Sequence, residues 1–126
     1  MARPTLKLAP ECQCFPLWLR EVGEGTIFET IDPATLPISS ELAARLEAWR
    51  IAWDSQYSLD DPQDALNGQT LDIVAFESEG LGIWKMLLHE LGDRYSIIYS
   101  SRLTNGTTDD PGVVERMLAT KGAGPN

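Results

Sequence analysis

Leu42, Leu46, Trp49, Trp53 and Tyr57 recur at steps of four, three, four and four, and that spacing restricts the fold more than any other feature. Residues three and four apart share one side of an α-helix, so these five form an apolar stripe over roughly four turns. Ser39 or Ser40 stands where an N-cap belongs, with Glu41 in the first turn, and Asp60-Asp61-Pro62 ends the run. A second stripe follows in Ile73, Phe76, Gly80, Ile83, Trp84, Leu87 and Leu91. It predicts a helix from about Thr70 to Leu91, with Asp72 near its start and Gly92 as the C′ residue. Two amphipathic helices need an apolar surface to cover, and a small sheet is the simplest one.

Three segments alternate as strands do. Cys12 to Val22 places Phe15, Leu17 and Leu19 on one face and Trp18 on the other, although Pro16 cannot donate to a ladder. Gly23-Glu24-Gly25 reads as a hairpin turn, and Thr26 to Ile31 as the returning strand. Tyr95 to Ser100 is rich in β-branched and aromatic residues. Asn105-Gly106 is then a turn, and Asp110-Pro111 opens a short helix that packs through Val113, Val114, Met117 and Leu118. Residues 1–11, broken by Pro4 and Pro10, read as a leader; residues 12–120 as one domain; residues 121–126 as a flexible tail. The expectation is an α+β fold. Two antiparallel amphipathic helices pack on a small, mainly antiparallel three-stranded sheet, followed by a short C-terminal helix. Gly80 and Gly82, costly inside a helix, are expected to give room to a large side chain of the first helix, such as Trp49 or Trp53.

Charge bounds the function. The chain has a net charge of −9, and residues 41–93 hold eleven of its nineteen acidic residues but three of its ten basic ones. A field of one sign draws basic partners and repels nucleic acid and anionic membranes. No run approaches the ~20 apolar residues of a membrane span, and residues 1–11 lack the apolar core of a secretory signal. A reducing cytoplasm with free thiols is the expected setting.

The residues that could carry chemistry do not assemble into a motif. Cys12, Cys14 and His89 are the soft metal ligands, one short of a structural zinc set, and they read as ordinary strand and boundary residues. No nucleophile motif surrounds Cys14 or His89, which a small enzyme would need. Asp60, Asp61 and Asp64 lack the spacing and closing Glu of a calcium loop. Glu77 and Glu79, two apart on a helix, do not face each other. Gly80-Leu81-Gly82 has no Lys-Ser/Thr after it and is not a phosphate loop. No cofactor is implied, and the balance favours a small acidic binding protein over an enzyme.

A resemblance sharpens this. Leu36-Pro37-Ile38-Ser39-Ser40-Glu41-Leu42, then Leu46-Glu47-Ala48-Trp49, and later Phe76-Glu77-Ser78-Glu79-Gly80 and the strand from Tyr95 to Tyr99, resemble a pattern in small acidic bacterial proteins. Some of these are grouped with the immunity proteins of polymorphic toxin systems. The resemblance covers roughly residues 36–100, and its motifs are packing and capping motifs that bring no catalytic residues. It implies a cytoplasmic protein that neutralises a toxin domain. Toxins that act on anionic substrates present basic clefts, which an acidic surface could fill. Asp54, Asp60, Asp61, Asp64, Glu77 and Glu79 are the expected acidic surface, with Trp18 as an aromatic anchor. The alternative is an interaction or adaptor domain, or a homodimer that uses Trp18 and the edge of the first strand.

Overall fold

The computed structural model describes residues 3–11, 14–23, 27–54, 73–101 and 106–123. Cys12, Tyr57, Asp60, Asp61, Asp64, Asp72 and Asn105, all singled out from the sequence, lie outside the described residues. In chain order the elements are β1 (Thr5–Leu8), β2 (Leu17–Arg20), β3 (Glu29–Thr30), a 3-10 turn (Pro33–Thr35), α1 (Ser40–Asp54), α2 (Ile73–Leu91), β4 (Ser96–Ser101), β5 (Gly106–Thr108) and α3 (Pro111–Ala123).

The class is α+β, as expected, but the sheet is larger than three antiparallel strands. Its five strands run in the order β3-β2-β1-β4-β5. The β1–β4 pair is parallel, with Thr5 opposite Ser96 and Leu8 opposite Tyr99, and every other pair is antiparallel. The largest departure is β1. Part of the segment read as a leader is the central strand of the sheet. Leu6 and Leu8 are fully buried, while Thr5 and Lys7 point to the other face. Between Pro4 and Pro10 that alternation is too short to outweigh the two prolines as a strand signal. The strand's start is tied to the end of α2 and to β4. The Arg3 guanidinium donates to the Gly92 carbonyl, and Ser96 N donates to the Pro4 carbonyl at 2.9 Å.

The strand expected over residues 12–22 is confined to Leu17–Arg20. Cys14 N donates to the Glu11 carbonyl at 3.2 Å, and Ala9 N to the Pro16 carbonyl at 2.9 Å. This segment is thus the connection of a β1–β2 hairpin, and Pro16 contributes its carbonyl, the one backbone hydrogen-bonding group it has. Gly23 turns the chain after β2 with φ of 90°, a conformation that L-residues with a Cβ rarely adopt. β3 is only two residues long, and β5, past the predicted turn, was not anticipated from the sequence.

The helical stripes hold where they are described. Ser39 caps α1, with Leu42 N donating to its Oγ at 3.1 Å. Glu90, near the end of α2, accepts from both Ser39 N and Ser39 Oγ at 2.7 Å. At the other end of the pair, Trp49 stacks on Phe76 with ring centroids 4.4 Å apart and donates from Nε1 to the Phe76 carbonyl at 2.9 Å. The start of α1 meets the end of α2 and the reverse, so the two helices are antiparallel. Gly80 lets them close: a Cβ there would lie 2.9 Å from Trp49 Cζ2 and 2.6 Å from the Tyr99 hydroxyl. The close packing expected at this glycine is therefore what the structure has, with Trp49 as the side chain accommodated. At Gly82 the neighbour is Arg45 instead. α3 packs on α2 and brings Val114 into the core with Leu6, Leu8, Leu17, Trp49, Trp84, Leu87 and Tyr99. Among the described residues the helices cover one face of the sheet, and the face bearing Lys7, Trp18 and Ile98 has no helix over it.

Candidate functional site

Of the acidic residues expected to form a binding surface, Asp54, Glu77 and Glu79 lie among the described residues, and their surroundings differ. Glu77 is not part of any surface. It is fully buried, and its carboxylate accepts from the Tyr99 hydroxyl and, at 2.6 Å, from Ser101 Oγ. A buried carboxylate needs such donors. The face of α2 that carries Phe76 and Gly80 also turns Glu77 toward β4. The sequence signal for this was weak, since Glu77 stands beside Phe76 on a helix that is apolar over most of its girth.

Glu79 remains at the surface but is engaged within the chain. Arg45 of α1 clasps it in a two-pronged pair, Nε to Oε2 at 2.9 Å and Nη2 to Oε1 at 3.0 Å. That hydrogen bonding holds the Arg45 guanidinium above its ordinary pKa. Asp54 accepts from Arg50 at 2.9 Å. Arg50 also pairs with Glu47, whose carboxyl its hydrogen bond holds below the usual carboxylate range. Glu47, Asp54 and Glu79 are thus paired with arginines three or four residues away or on the facing helix.

Unpaired acids gather elsewhere, at the β2–β3 edge. Glu29 lies opposite Leu19 in the ladder, and Glu21 follows Leu19 by two, so both point to the helix-bearing side of the sheet. There they flank a pocket of about 250 Å³ lined by Leu19, Glu21, Ile27, Glu29, Thr30 and Ile31. Neither glutamate has an ion-pair partner among the described residues. Part of its apolar lining is open to solvent, with Ile27 63% exposed, while Leu19 and Ile31 pack against the core. An apolar floor between two carboxylates suits a lysine or arginine side chain, whose stem packs on the isoleucines while its head reaches the acids. Sequence reasoning missed this site because Glu21 and Glu29 lie outside the acidic segment and meet only through strand pairing.

The opposite side of the same strands has the opposite charge. Lys7 lies across from Trp18 in the ladder, and Thr5 across from Arg20. Lys7 Nζ sits 4.4 Å and Arg20 Cζ 4.8 Å from the centroid of the Phe28 ring, and Lys7 Nζ lies 6.0 Å from the Trp18 ring. Trp18 is half-buried and donates to the Ala9 carbonyl at 3.3 Å, so it belongs to a cation–aromatic cluster rather than to an acid-rimmed patch. His89 is exposed on α2, and Cys14 is a half-buried free thiol. Among the described residues no group of three His, Cys, Asp or Glu could hold a metal ion, and no helix is long and apolar enough to cross a membrane.

Residues 4–102 match the profile of a family described as Serratia CdiI immunity protein-like. The chain belongs to that family. It is an immunity-type protein of contact-dependent inhibition toxin systems. Comparison with curated proteins gives no match. The segment shared with the CdiI-like family runs from the start of β1 to the end of β4. It therefore includes both sides of the β2–β3 edge and the pairing of α1 with α2, while α3 falls beyond it.

Proposed function

We propose that this CdiI-like protein is a non-enzymatic binder that protects the cytoplasm by seating on a cognate toxin and covering a basic active-site cleft. Family membership carries the identity of the partner as a toxin protein. The placement of the contact rests on the β2–β3 pocket, where two carboxylates without an ion-pair partner among the described residues border exposed Ile27 and half-buried Ile31. A basic cleft offers the complementary charge, and such complementarity raises the association rate as well as orienting the complex. Asp60, Asp61 and Asp64 remain part of the proposed acidic surface. Asp54 and Glu79 would have to leave Arg50 and Arg45 to join it, so their contribution is smaller than that of Glu21 and Glu29.

The test is capture of the toxin from the native cell on the tagged protein, washed at low and then high salt, with the retained protein identified by mass spectrometry. One stoichiometric basic protein, released as salt rises, is the expected result. Glu21→Gln with Glu29→Gln should weaken that complex roughly tenfold or more, each truncated interfacial charge pair costing on the order of 1–2 kcal/mol at a partly solvated site. Equal retention by the double variant would move the contact away from this pocket.

A further inference from the structure

The cluster of Lys7, Arg20, Trp18 and Phe28 on the open face of the sheet is the part of the surface that the acidic character of the chain does not account for. Both cations lack a carboxylate partner among the described residues, although the chain has nearly twice as many acidic as basic residues. Their neighbours are aromatic faces and the Thr5 hydroxyl, to which Arg20 Nη2 donates at 3.4 Å. Lys7 and Arg20 both rest against the Phe28 ring, a contact that lowers the cost of ordering two long side chains when a partner binds. All four residues are half-buried, as suits a contact platform that is packed from below and open from above.

We infer that this face receives a carboxylate side chain of the toxin, seated between Lys7 and Arg20, so that the bound toxin straddles the β3 edge. The inference rests on the toxin-neutralising reading and adds a second contact of opposite sign. A basic group of the toxin meets Glu21 and Glu29 on one side of the sheet, and an acidic group meets Lys7 and Arg20 on the other. A second copy of the chain is a poor occupant, because a twofold contact through this face sets Lys7 and Arg20 against their own counterparts. A nucleic acid is also disfavoured: two cations neutralise few phosphates, and the net charge of −9 opposes a polyanion. A single carboxylate asks for no more than the two cations supply. This arrangement would also reject a wrong partner that had a basic group on both sides.

The experiment uses the captured toxin in complex with the full chain. Zero-length carbodiimide coupling joins an amine to a carboxylate in direct contact, and the linked peptides are read by mass spectrometry. A Lys7 linkage to an Asp or Glu of the toxin is expected. Lys7→Gln with Arg20→Gln should weaken the complex by roughly tenfold or more while leaving the thermal unfolding midpoint close to that of the parent. A captured toxin with no Lys7 linkage and undiminished affinity for the double variant would overturn the inference and leave toxin neutralisation standing. Binding of a single-stranded RNA oligonucleotide by the parent and not by the variant would overturn it in favour of a polyanion. Failure of the parent to retain any toxin would remove both readings together.

Discussion

At the scale of single residues, the fold turns on positions whose chemistry contradicts their surroundings. Gly80 is the plainest. An alanine there has the better helix propensity, by about 1 kcal/mol. Its Cβ, however, would press on Trp49 and on the Tyr99 hydroxyl, and that hydroxyl is held in place by Glu77. Neither neighbour can retreat easily, since Trp49 is itself pinned to the Phe76 carbonyl. Gly80→Ala should therefore destabilise the protein by about 1–2 kcal/mol net of the propensity gain, read as a lowered midpoint in urea unfolding. A rise in stability would mean that the two helices can separate at little cost. This glycine was legible from the sequence, because a small residue on an apolar stripe facing a tryptophan stripe points to close approach. Glu77 was not legible. Its burial depends on Tyr99 and Ser101 arriving on a strand more than twenty residues away, and nothing local announces that.

At the scale of elements, the α1–α2 pair is fastened at both ends by different means. One end is aromatic, with Trp49 on Phe76. The other is polar, with Ser39 capping α1 while Glu90 of α2 accepts from its backbone and its hydroxyl. Ser39 thus serves two helices at once. Ser39→Ala removes the cap and one of the two bonds to Glu90, and should cost about 1–2 kcal/mol, the upper part of the range for an N-cap. Glu90→Gln should cost less, since an amide oxygen still accepts one of the bonds. Thermal unfolding of the two variants side by side tests the order; no loss in Glu90→Gln would reduce Glu90 to a bystander. The cap itself was readable as a serine before an apolar stripe, but its second partner was not, because the pairing crosses from one helix to the other. The strands were less legible than the helices for a related reason. A stripe of five residues repeats its signal, whereas β1 and β3 offer four and two residues, too few for alternation to be distinguished from chance.

At the scale of the whole molecule, charge that is concentrated in one stretch of the sequence is redistributed by the fold. Of the carboxylates in the acid-rich segment, Glu47, Asp54 and Glu79 are occupied by arginines of α1. At the sheet's edge Glu21 and Glu29 have no ion-pair partner among the described residues, and Lys7 and Arg20, also without one there, lie on the reverse of the same edge. The acidity of the chain motivates the proposal of a basic partner but does not mark the place of contact. The central position of β1 carries its own expectation. Leu6→Ala should cost about 2–5 kcal/mol, as for other fully buried leucines, measured by chemical unfolding; a loss within a few tenths would return that segment to the status of a dispensable leader.

The parallel pairing of β1 with β4 also sets the order in which the protein can come into being. β1 is translated well before β4, so the strand that holds it from one side is not made until residues 96–101 are complete. Until then a nascent chain has a β1–β2–β3 meander with its apolar face bare and helices with nothing to cover. The sheet closes late in synthesis, and closure of so long a loop is slow relative to local folding. On the proposed toxin-neutralising reading, protection comes from finished molecules rather than from those still being translated.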